Sequence, residues 1–102
     1  MDMKQMMRQA QKMQAELAKA QDEIKDMTAE ATAGGGMVKA VALGDMTIQS
    51  LIIDKDALDP DDVEMLQDTI VAAVNEALRA VSAKGSARIG SVTGGMNIPG
   101  LM

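Results

Sequence analysis

Between residues 3 and 27, Met3, Met6, Ala10, Met13, Leu17, Ala20, Ile24 and Met27 recur in alternating steps of three and four. That spacing lines apolar side chains along one seam of an α-helix, and no strand shares it. The chain is therefore committed to a long N-terminal helix before any other segment is considered. Good helix formers (Gln, Lys, Arg, Glu and Ala) fill the remaining positions. Asp2 is placed to cap the helix, with Gln5 three residues on as the reciprocal partner of a capping box. A seam of Met and Ala packs either on the chain's own sheet and second helix or on a partner chain, and the spacing does not choose between them.

What the seam packs against is limited by what else the chain contains. With 102 residues, 47% apolar and 25% charged, it falls in the range of one folding unit spanning 1–102. It has no Phe, Trp or Tyr, so burial must come from Met, Leu, Ile, Val and Ala. A domain of this size buries about two-thirds of its unfolded surface, and a thin core of small and flexible side chains predicts that self-association supplies the missing burial.

There is no Cys and no His. Disulfides, thiolate nucleophiles and sulfur-ligated metal sites are excluded. The commonest general base, the commonest metal ligand and the Ser–His and Cys–His pairs are missing as well. Carboxylate pairs such as Asp54 with Asp56 or Asp61 with Asp62 are explained by turn and capping chemistry, so the reading is a non-enzymatic protein with no cofactor and no small-molecule substrate. The N-terminus MDMKQMMRQAQK lacks the apolar core of a signal peptide, and no run approaches the roughly 18 apolar residues of a membrane span. The expectation is a cytoplasmic protein with no membrane partner.

A formal charge of −5 argues at first against a nucleic-acid partner. Its distribution argues the other way. Residues 1–20 carry Lys4, Arg8, Lys12 and Lys19 against Asp2 and Glu16, and residues 79–102 carry Arg79, Lys84 and Arg88 against no acid, so the two ends together hold +5. Residues 21–78 carry thirteen acids against Lys25, Lys39 and Lys55, a net of −10. At about 100° per residue, Lys4, Arg8, Lys12 and Lys19 fall within an arc of about 80°, opposite the apolar seam. Such a stripe is either a phosphate-binding face or a solvated surface with internal pairs such as Lys12 with Glu16.

Thr28, Glu30 and Thr32 alternate with Ala29, Ala31 and Ala33 before three glycines, which reads as a weak strand and a turn. MVKAVAL (37–43) is a stronger strand, Gly44-Asp45 a tight hairpin connection, and MTIQSLIID (46–54) its partner, giving two or three antiparallel strands. The stretch from Met37 to Ile53 is apolar on more than one face, as for a sheet covered on both sides or lying near a subunit boundary. DKDALDPDD (54–62) is dense in carboxylates but fails the calcium-loop pattern, because Leu58 and Asp59 stand where an oxygen ligand and the turn glycine belong. Asp59 as a cap and Pro60 in the first turn of a second helix account for it instead. That helix is expected from about Pro60 to Lys84, with Val63, Leu66, Ile70, Val74, Ala77, Leu78 and Val81 inward and Gly85 closing it. SARIGSVTGGMNIPGLM then reads as a flexible C-terminal tail from about residue 85.

Four pieces, MKQMMRQAQKMQAELAKAQDEI, GGMVKAVALG, DPDDVEML and SVTGGMNIPGL, in this order and at this spacing, make the chain resemble the YbaB/EbfC family over nearly its whole length. The resemblance implies an α+β fold of a long N-terminal helix, a three-stranded antiparallel sheet and a second helix (α-β-β-β-α), assembled as a homodimer with projecting helices. It also implies a bacterial nucleoid-associated protein that binds double-stranded DNA. Carried onto this chain by position, the DNA-binding residues are Lys4, Arg8, Lys12 and Lys19, with Arg79, Lys84 and Arg88 in second rank. The chain departs from the family's usual pattern in having Ala40 and Ala42 at strand positions where larger residues are common, and no aromatic residue at its C-terminus. Neither touches the basic stripe.

The expected mechanism is electrostatic: two copies of a basic helical face, each cation releasing counterions from phosphate, with weak sequence preference. Without aromatic side chains base stacking is unavailable, which favours duplex over single strands. The competing expectation is a protein-interaction or assembly module that uses the Met-rich seam and binds no DNA.

Overall fold

The Met/Ala seam becomes α1 (Met3–Lys25) in the computed structural model of the chain, which describes residues 2–94. The Gln5 backbone N–H donates to Asp2 Oδ1 at 2.8 Å, so the predicted cap forms. Strands β1 (Thr28–Ala33), β2 (Val38–Leu43) and β3 (Ile48–Ile53) follow, then a single 3-10 turn at Lys55–Ala57 and α2 (Val63–Gly94). The order is α-β-β-β-α, with all three strands in one antiparallel sheet, β1-β2-β3.

Each hairpin is set by its own turn chemistry. Gly34, Gly35 and Gly36 all adopt positive φ (64°, 68° and 91°), a succession that side-chain-bearing residues do not tolerate. The β2–β3 connection is longer than the two-residue turn expected at Gly44-Asp45. Its bonds run from Leu43 N–H to Thr47 O and from Met46 N–H to Leu43 O, and Met46 takes the left-handed conformation at φ 69°. Asp45 Oδ1 accepts from the Thr47 N–H at 3.0 Å and compensates the turn. Gly44 serves a different need. Its N–H donates to Met27 O, and a Cβ there would stand 1.6 Å from Ile24 O, so only glycine lets this turn pass beneath the end of α1.

α2 lies across one face of β1 and β2. Val38, Ala40 and Ala42 alternate inward along β2 and, with Ala29, meet Ala73, Ala77 and Val81. The two alanines of β2 are fully buried. Their small size brings helix and sheet close together, which is the physical reason larger side chains are absent there. A bulge between Val41 and Ala42 shifts the pairing so that Val41 faces Ser50 and Ala42 faces Ile48. β3 is an edge strand with one paired side, and Ile48, Leu51 and Ile52 on it remain 37–56% exposed.

Both ends of α2 differ from expectation. Its first helical residue is Val63, not Pro60, because Asp59 caps the preceding turn through the Asp61 N–H and Asp62 then caps the helix through the Met65 N–H. At the other end Gly85 does not close the helix, and the tail expected from about residue 85 is helical as far as Gly94. Gly85 is buried, and a Cβ on it would lie 3.3 Å from Ile24 Cγ2. Packing of α1 against that bare position outweighs the roughly 1 kcal/mol that a mid-helix glycine costs. The MNIPGLM part of the expected tail lies outside the described residues.

Ile24 sits opposite Gly85 and Met13 beside Val92, so α1 and α2 run antiparallel. Among the described residues, the seam is covered, in whole or part, only from Met13 onward (Met13, Leu17, Ala20, Ile24 and Met27). Residues 2–12 are exposed all round, and Met3 and Met6 are 77% and 57% accessible. This projection makes the chain 71 Å long with a radius of gyration of 19.9 Å, against about 13 Å for a compact domain of 100 residues.

Candidate nucleic-acid interface

The projecting half of α1 carries Lys4, Arg8 and Lys12, and Lys19 follows about two turns nearer the body. All four are exposed. Among the described residues none of them has a carboxylate within 4.0 Å, and the Lys12–Glu16 pair that would have explained the stripe as a self-neutralised surface does not form. Their charge is therefore available to an outside anion.

Where α1 meets α2, Lys12, Lys19 and Arg88 line one groove of about 510 Å³ together with Gln9, Glu16 and Ser91. Arg88 is held there. Its Nε donates to Glu23 Oε2 at 2.8 Å and its Nη1 to Ser91 Oγ at 3.1 Å. The hydrogen bond from the Arg88 guanidinium holds the Glu23 carboxyl below the usual carboxylate range, with partial desolvation pulling the other way.

The remaining second-rank candidates are also engaged. Arg79 donates through Nε and Nη2 to Glu76 Oε2 at 3.2 and 2.9 Å. Lys84 Nζ donates to the Thr28 backbone carbonyl at 2.7 Å, tying α2 to the start of β1. The seven basic residues thus divide into four free cations on one helix and three that are engaged, Lys84 and Arg88 across elements and Arg79 within α2, with Arg88 alone of those three adjoining the stripe. Ser91, which shares the groove, carries no sequence signal of its own because it lies in the stretch expected to be a tail, whereas Gln9, with Gln5 and Gln11, is of a type that can hydrogen-bond adenine edges but also routinely fills helix surfaces.

The opposite end of the molecule is acidic. Residues 54–68, around the 3-10 turn and the start of α2, hold seven carboxylates against Lys55. Asp54 and Asp59 accept from the Asp56 and Asp61 backbone N–H groups and Asp62 from Met65, so these three are capping groups.

The family described as the YbaB/EbfC DNA-binding family matches residues 1–96. A nucleoid-associated protein of Thermoanaerobacter pseudethanolicus is 52% identical over 96 residues, covering 94% of this chain and 86% of its own length. One from Desulforamulus reducens is 53% identical over 100 residues, covering 98% and 95%. Among solved structures, the crystal structure of an uncharacterized protein, HP0035 from Helicobacter pylori, superposes with a TM-score of 0.72 at 26% identity, over 91% of this chain and 98% of that one.

Proposed function

The chain belongs to the YbaB/EbfC DNA-binding family, and from that premise we propose that it is a non-enzymatic, nucleoid-associated protein that binds double-stranded DNA as a homodimer, chiefly through phosphate contacts and with low sequence specificity. The observation that carries the phosphate reading is the unpaired stripe Lys4, Arg8, Lys12 and Lys19 on a helix whose first half stands clear of the body. Cations free of internal partners give up no ion pair when they meet phosphate, and each releases condensed counterions from the duplex. The acidic end, carrying residues 54–68, is repelled by the same phosphates and turns the α1 end toward the DNA. Lys84 and Arg88 act by tying α2 to β1 and α1, and Arg79 is neutralised within α2 by Glu76, so these three contribute less to DNA contact than the free stripe.

The exposed apolar edge supports the homodimer. β3 offers unpaired backbone groups together with Ile48, Leu51 and Ile52, an arrangement that invites pairing with another chain. A second copy there would enlarge a core whose buried members are only alanines and valines.

Fluorescence anisotropy of a labelled random-sequence duplex, titrated with the protein at two salt concentrations, tests the proposal. Binding that weakens steeply with salt is expected. Absence of binding at low salt would remove the DNA reading and leave a protein-interaction module that uses the exposed Met3 and Met6 of the seam.

A further inference from the structure

A groove of about 390 Å³ opens at the acidic end, between the glycine turn, the 3-10 turn and the start of α2. Met37, Met65 and Leu66 give it an apolar lining, and Asp56, Asp59 and Asp62 rim it. Met65 is 65% exposed and neighbouring Leu58 59%. Among the described residues none of these carboxylates has a basic side chain within 4.0 Å. An apolar lining with an anionic rim fits a helix that carries apolar and cationic side chains close together.

The same chain presents such a helix at its other end. The tip of α1 exposes Met3, Met6 and Met7 at 77%, 57% and 60%, next to Lys4 and Arg8. Tip and groove lie at opposite ends of the 71 Å long axis, because α2 runs about 48 Å from the groove and α1 projects beyond its far end. A single chain cannot bring the two together.

We propose that the α1 tip of one copy docks in the acidic groove of another, a head-to-tail contact distinct from any pairing through β3. Met side chains adapt to an imperfect fit, which suits a groove with Met on both sides of the contact. The contact uses two different surfaces, so it is heterologous and links copies head to tail into chains or, where the rotation between copies closes, rings. It engages the cations that the proposed function gives to DNA, so a tip is occupied by a groove or by a duplex but not by both. The contact itself does not depend on DNA and is tested without it.

Sedimentation velocity of the full chain over a concentration series at low and high salt provides the first measurement. Species that lengthen with concentration at low salt and shorten at high salt are expected. Two variants then separate this contact from other association. Lys4→Glu with Arg8→Glu reverses the tip. Asp56→Lys with Asp68→Lys reverses the groove and the surface beside it, using carboxylates that cap no backbone group among the described residues. Each variant alone should require about tenfold more protein to lengthen, since a few exposed ion pairs are each worth a few-fold. An equimolar mixture of the two should recover assembly, because the acidic tip of one meets the basic groove of the other. A wild-type sedimentation coefficient independent of concentration and salt overturns the proposal. So does a mixture no better than its components, which would mean that the tip and the groove do not meet.

Discussion

Arg88 Nε donates to Glu23 Oε2 at 2.8 Å, joining residues 65 positions apart and tying α1 to α2 close to where Ile24 packs on Gly85. Because Arg88 lowers the Glu23 pKa in the folded chain, the pair stabilises fully above the unfolded carboxylate value of about 4.3. That contribution fades as pH falls through the lowered folded value. Glu23→Gln is expected to melt below wild type near neutral pH, with the gap closing progressively below about pH 4. Thermal unfolding followed by circular dichroism across that range checks it, and a gap independent of pH would contradict the assignment.

Gly44 stands where a Cβ would lie 1.6 Å from the Ile24 carbonyl oxygen. Gly44→Ala must displace either the end of α1 or the β2–β3 turn, at about 1–3 kcal/mol by analogy with overpacked cores. Gly35 has open space around its Cα but a φ of 68°, so Gly35→Ala should be the milder change, about 1 kcal/mol from backbone strain. Urea denaturation of both variants measures the difference.

DNA affinity should separate the free cations from the engaged ones. Lys4→Glu with Arg8→Glu is expected to weaken duplex binding and to lower the slope of log K against log salt by about 0.9 for each phosphate that is no longer neutralised. Arg79→Glu, which removes a cation already bound to Glu76, should leave the slope nearly unchanged. Anisotropy titrations at four or more salt concentrations give both slopes.

Leu51 and Ile52 are 40% and 56% exposed on the free edge. If a second copy covers this strand, Leu51→Lys with Ile52→Lys should convert the dimer to a monomer while leaving helix content intact, since neither side chain belongs to the buried core. Equilibrium sedimentation reads the mass, and a dimer that survives the double substitution places the interface elsewhere.

Much of this architecture is legible in the residues because it is local. The three-and-four spacing of the seam specifies α1, the Asp2–Gln5 spacing its cap, and alternation in VKAVAL the inward face of β2. Three glycines between Ala33 and Met37 mark a turn that needs repeated positive φ. The basic stripe is legible in the same way, since four cations on one helix share a face by rotation alone.

Packing between distant segments carries no such signal. Gly85 reads as a helix end because isolated glycine weakens a helix, yet it lies mid-helix where Ile24 approaches. Lys84 and Arg88 read as free cations, and only the fold brings Thr28 O and Glu23 within reach of them. The amino-acid sequence by itself determined which segments are helix and strand and which side of α1 is basic, because those depend on periodicity and turn chemistry over a few residues. The tertiary structure alone decided where α2 ends, which cations remain unpaired, and that the N-terminal part of the Met seam projects uncovered. Each of these depends on whether a partner from another part of the chain lies within a few ångströms, and a linear pattern does not encode that distance.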